Sequence, residues 1–125
     1  MRAYLRVLKR VARVAHLGTI MERRLIEIGR KHPSVARVDG NGLQWTVELH
    51  GPDWRKWENN AAIPPIASRV SARALEAGAL IGTSGEQISL FIAPAFVISE
   101  PELEAILTAL DCGLEISDAE LGRAI

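Results

Sequence analysis

The stretch Ile88–Leu114, ISLFIAPAFVISEPELEAILTALDCGL, constrains the fold of this chain most strongly. It reads as a short apolar strand over Ile88–Ala93, a corner at Pro94 and an amphipathic helix. Ser99 and Glu102 have the S-x-x-E spacing of a capping box, in which each side chain satisfies a backbone N–H that the first helical turn leaves unpaired. Pro101 sits in that first turn, where a missing N–H costs nothing. Leu103, Ile106, Leu107, Leu110 and Leu114 then recur on one helical face. The strand itself is apolar on both sides: Ile88, Leu90 and Ile92 point one way, Phe91 and Ala93 the other. A sheet apolar on both faces needs cover on both.

The segments before this stretch supply the rest of one small layer. Residues 2–31 read as helix, either continuous or as two helices joined near His16-Leu17-Gly18, where Gly18 implies a bend or a close contact. Leu5, Leu8, Val11, Ala12 and Ala15 form an apolar stripe opposite Arg2, Arg6, Lys9, Arg10 and Arg13, and Ile20, Met21, Leu25 and Ile28 continue the apolar spacing. Lys31 and His32 suit the negative end of the helix dipole, and Pro33 stops the helix. Val35–Val38 is a strand candidate, Asp39-Gly40-Asn41-Gly42 a turn, and Leu43–Leu49 an alternating strand with Leu43, Trp45, Val47 and Leu49 on one side. Residues 50–65 form a long loop with Trp54 and Trp57. Pro65 opens a helix that turns Ile66, Val70 and Ala74 inward and ends at Gly78. Leu80-Ile81 is a short strand, Gly82–Gly85 a turn, and residues 117–125 a helical extension or a frayed tail. The expected class is α+β: a small, mostly antiparallel sheet of three to four strands with helices on one face, preceded by a long N-terminal helix. The expected divisions are 1–32, 33–117 and 118–125.

At 125 residues the chain fits one domain. Cys112 stands alone, so no internal disulfide forms, and a reducing, cytoplasmic setting is expected. No apolar run reaches the roughly 20 residues of a membrane span. Net charge is zero but unevenly placed: residues 1–37 carry ten Lys/Arg against two acids, a net +8, balanced by −8 over residues 38–125. The basic arm has only Tyr4 as an interleaved aromatic, which argues against single-strand nucleic-acid binding. His16, His32 and His50 are too dispersed for a metal site. Gly-Thr-Ser-Gly at 82–85 lacks the phosphate-loop pattern and precedes a strand rather than a helix. Ser84 beside Glu86 has no positioned His to make it a nucleophile. No complete active site is readable from spacing alone.

His32-Pro33-Ser34-Val35-Ala36-Arg37-Val38-Asp39-Gly40-Asn41-Gly42-Leu43, followed by Val47-Glu48-Leu49, is similar to the segment entering the C-terminal small domain of class III (omega-type) aminotransferases. These are pyridoxal-phosphate enzymes of fold type I. Ala77-Gly78, the corner Ala93-Pro94-Ala95-Phe96-Val97-Ile98 and the helix start Ser99–Glu102 resemble further family pieces in the same order, so the likeness covers roughly residues 10–117. It implies a domain that closes over substrate beside the cofactor and helps to form a homodimer. It also implies active-site borders at loop 50–65, with Trp54 and Trp57, and at Gly82, Thr83 and Ser84. The family's Schiff-base lysine, pyridine-nitrogen aspartate and phosphate-binding turn belong to a preceding large domain. Lys9, Lys31 and Lys56 are the lysines of this chain and none has the matching context. The resemblance therefore implies pyridoxal phosphate in the parent enzyme, none covalently bound to this chain, and no transaminase activity of the chain alone. The expected partner is the missing large domain or a second subunit, not nucleic acid or membrane. Departures from the pattern are Asp39 in place of Arg, Ala95 in place of the second Pro, and the absence of an arginine from Gly82–Ser84. Two other readings stay open: a non-catalytic interaction module, and a nucleic-acid or acidic-membrane binder acting through the basic helix.

Overall fold

The computed structural model describes residues 2–49, 64–84, 88–95 and 97–124. Three helices and four strands follow in the order α1 (Arg2–Lys31), β1 (Val35–Asn41), β2 (Gln44–Leu49), α2 (Ile66–Glu76), β3 (Gly82–Thr83), β4 (Ser89–Ile92) and α3 (Glu100–Ala124). The strands form one sheet in the order β1-β2-β4-β3, and every neighbouring pair is antiparallel. This is the expected α+β class with its long N-terminal helix.

The alternation in β2 sets the core side of the sheet. Trp45, Val47 and Leu49 are buried with Leu90 and Ile92 of β4. Against them pack Leu17, Met21, Leu25 and Ile28 of α1, Ile66, Val70 and Ala74 of α2, and Leu103, Leu107, Leu110 and Leu114 of α3. Fully burying a side chain of this size stabilises by about 1.5–3 kcal/mol, so this face holds the domain together. The capping box forms as the spacing implies: the Ser99 N–H donates to Glu102 Oε1 at 3.3 Å, and the Glu102 N–H donates to Ser99 Oγ at 3.2 Å. α2 ends in a Schellman motif, with Gly78 at φ +104°, its N–H on the Leu75 carbonyl and the Ala79 N–H on that of Ala74.

One open alternative is decided and three local expectations need correction. α1 is one uninterrupted helix. Gly18 marks a close approach rather than a break, because a Cβ there would lie 3.1 Å from the Gly42 carbonyl oxygen. β1 runs on through Asn41, so the hairpin turn is Gly42-Leu43, with Gly42 at φ +59°. Gly40 is inside the strand, where an added Cβ would lie 2.4 Å from the Gln44 carbonyl oxygen and 2.5 Å from the Trp45 indole. Leu80-Ile81 is not a strand: the Ile81 carbonyl accepts the Ser71 hydroxyl at 2.6 Å, and the ladder begins at the next residue, Gly82. β4 is shorter than Ile88–Ala93, with Ser89–Ile92 in the ladder.

Candidate functional site

The helices cover one face of the sheet. On the other, the register lines up Asp39 beside Thr46, Thr46 beside Phe91, and Phe91 beside Gly82. Phe91 is 44% exposed there, on the side that no described helix covers. A shallow depression of about 470 Å³ opens on this side, lined in part by Asp39, Gln44, Thr46, Phe91 and Ala93. Gly82 and Thr83 form the edge strand β3 next to Phe91. Ser84 is buried: its hydroxyl accepts the backbone N–H groups of Ile88 (3.3 Å) and Ser89 (3.1 Å), and its own N–H donates to the Ser89 carbonyl. A hydroxyl so engaged closes a turn. Thus Gly82, Thr83 and Ser84 come together at one sheet edge, whereas Trp54 and Trp57 lie outside the described residues.

A second polar cluster was not legible as such. His32 ends α1 at 2% exposure. Its Nδ1 lies 2.5 Å from Asp118 Oδ2 and its Nε2 lies 2.6 Å from Asp111 Oδ1. Both ring nitrogens face carboxylates, and both can donate only in the imidazolium form. Asp118 Oδ1 also accepts the Ser34 N–H (3.1 Å) and hydroxyl (2.6 Å), and Ser34 Oγ meets Ser117 Oγ at 2.7 Å. Lys31 Nζ donates to both Asp111 oxygens, at 2.8 and 3.0 Å. Burial pushes both carboxyls up, but hydrogen bonds from Lys31 and His32 to Asp111, and from Ser34 and His32 to Asp118, outweigh it and leave both below the usual range. Serine, histidine and aspartate meet here, yet Ser34 is fully buried and faces the aspartate rather than the imidazole. The cluster is a clasp between α1 and α3, not nucleophilic machinery. The seven-residue spacing of Asp111 and Asp118 places them on one side of α3, but nothing in that spacing joins the side to His32.

The described residues do not fit a pyridoxal-phosphate lysine site. Lys9 is exposed on the first turns of α1, and Lys31 is held by Asp111. Lys56 lies outside the described residues. Among the described residues no group of three or more His, Cys, Asp or Glu is placed to hold a metal ion, and no helix is long and apolar enough to cross a membrane.

No protein-family model matches the chain. Acetylornithine aminotransferase of Mycolicibacterium smegmatis is 30% identical over 105 residues, which are 84% of this chain and 23% of that protein. The structure of a transaminase with L-ala matches with a TM-score of 0.74 at 28% identity, over 95% of this chain and 27% of the other. An S-selective transaminase from Arthrobacter sp. with alanine bound gives 0.74 at 22% identity, over 94% and 28%, a likeness of fold alone. The chain spans about a quarter of the length of these proteins. In sequence and fold the chain is thus similar to about a quarter of an aminotransferase chain, consistent with the C-terminal small domain of the class III family.

Proposed function

We propose that the chain serves as the small domain of a pyridoxal-phosphate-dependent aminotransferase, one that moves an amino group between an amine or amino acid and a 2-oxo acid. The cofactor supplies the electron sink for that chemistry, and its lysine belongs to a large domain outside these 125 residues. The observation that carries the reading is the half-covered sheet: three helices pack on one face, and Phe91 stands exposed on the other beside the edge strand Gly82–Thr83. The large domain covers that face. Gly82, Thr83 and Ser84, together with the loop bearing Trp54 and Trp57, border the substrate. The intact enzyme is a cytoplasmic homodimer.

The test compares the isolated 125-residue chain with the chain recovered under native conditions from its source cells. The isolated chain, given pyridoxal phosphate, alanine and a 2-oxo acid, transfers no amino group. The recovered material, with the chain joined or bound to a cofactor-bearing polypeptide, does. Transfer by the isolated chain would overturn the inactivity, and recovery of a compact monomer without any such polypeptide would overturn the reading itself.

A further inference from the structure

The β1–β2 turn is held from two sides. The Gly42 carbonyl oxygen accepts the Trp45 indole N–H at 2.8 Å. α1 passes so close that a Cβ on Gly18 would lie 3.1 Å from that oxygen and 3.2 Å from the Gly42 Cα. Leu43, the second turn residue, is buried in the core. The neighbouring Asn41 stands in a different setting. It closes the ladder opposite Gln44, and both residues are exposed. Among the described residues no hydrogen bond holds its carboxamide. The pairing ends at Asn41, so the Gly42 N–H lies outside the ladder. Gly42 itself has φ +59° and open space where a side chain would stand. A solvent-exposed amide therefore directly precedes a main-chain nitrogen that no Cβ crowds.

We propose that Asn41 is a site of spontaneous conversion to isoaspartate, and that the product loosens this turn. The Gly42 nitrogen attacks Asn41 Cγ. The new N–Cγ bond closes a cyclic imide, the Cγ–Nδ2 bond breaks, and ammonia leaves with the proton from the Gly42 N–H. Water then opens the ring. Cleavage between the nitrogen and Cγ gives aspartate. Cleavage between the nitrogen and the former main-chain carbonyl carbon gives isoaspartate. Isoaspartate carries the chain through Cγ, longer by a methylene, and leaves a new carboxylate as the branch. The turn has little slack for that methylene, because Gly42 is held against Gly18 and Trp45 and Leu43 is fixed in the core. The carboxylate also joins Asp39, two residues away on the same face of β1, so like charges meet there. The conversion belongs to the hairpin and holds whichever function the chain serves.

Peptide mapping by mass spectrometry, with aspartyl and isoaspartyl products separated, tests the site on the purified chain held in mildly alkaline buffer. Asn59 and Asn60 are internal references, since Asn60 and Ala61 rather than glycine follow them. The expected result is conversion at Asn41 at least tenfold faster than at either reference, with isoaspartate among the products. Asn41→Gln, whose longer side chain closes the ring poorly, is expected to abolish conversion at position 41. Conversion at Asn41 no faster than at Asn59 or Asn60 would overturn the site. Hydrogen exchange then tests the loosening. Aged chain rich in isoaspartate is compared with fresh Asn41→Asp, which has the added charge without the methylene. Exchange at least tenfold faster over residues 42–46 of the aged chain is expected. Equal exchange in the two would overturn the loosening.

Discussion

His32 carries the most consequential side-chain geometry in the described structure. Two carboxylates hold one nearly buried ring, so removing the ring leaves both without their shared donor. His32→Ala is expected to destabilise the domain by about 2–3 kcal/mol in urea unfolding, at the low end for a broken buried pair because the aspartates keep some exposure. The pH dependence has a definite sign. The folded carboxyls of Asp111 and Asp118 lie below the usual carboxylate range, so their stabilisation is fully present above the unfolded value and is lost as pH falls through the folded values. Urea midpoints measured at falling pH should therefore drop below about pH 4, and Asp118→Asn should flatten that fall; an unchanged slope would remove Asp118 from the clasp. In the sequence, His32 read only as a residue suited to the helix dipole. Periodicity shows which residues share a face but not which faces meet, so a contact between α1 and α3 across some eighty residues could not be found by spacing.

At the scale of elements, the features legible in the sequence were those decided within a few residues. The Ser99–Glu102 capping box and the Gly78 cap are local hydrogen-bond patterns, and both form. Ser99→Ala is expected to cost about 1 kcal/mol, read as a lower thermal midpoint with an unchanged native spectrum. The misplaced turn and strand were decided by tertiary contacts. Gly40 looks like a turn residue, yet the Gln44 carbonyl oxygen and the Trp45 indole across the hairpin are what require the glycine. Gly113 drew no notice, although it lets α3 approach α2 so closely that a Cβ would lie 2.8 Å from the Val70 carbonyl oxygen. Gly113→Ala should destabilise by about 1–3 kcal/mol, more than the Gly122→Ala control, which meets nothing within 4 Å. Equal effects would show that α2 and α3 separate without strain.

For the whole molecule, the uncovered side of the sheet was readable from the two-sided apolar pattern of Ile88–Ala93, because alternation reports both faces of a strand at once. The exposure of Tyr4, Leu8 and Val11 along the first half of α1 was not, because the apolar spacing runs on without a break into the buried second half. Both features leave large apolar side chains exposed among the described residues. Gly82 alone of the Gly82–Ser84 edge pairs with the exposed Phe91, whereas Thr83 pairs with the buried Leu90 and Ser84 is buried. The most direct measurement treats the natively recovered chain with borohydride and searches by mass spectrometry for pyridoxyl-lysine. The account predicts the modified lysine on a segment other than these 125 residues, joined to or bound with the chain. A pyridoxyl group on Lys9, Lys31 or Lys56, or a chain recovered alone with none, would contradict it.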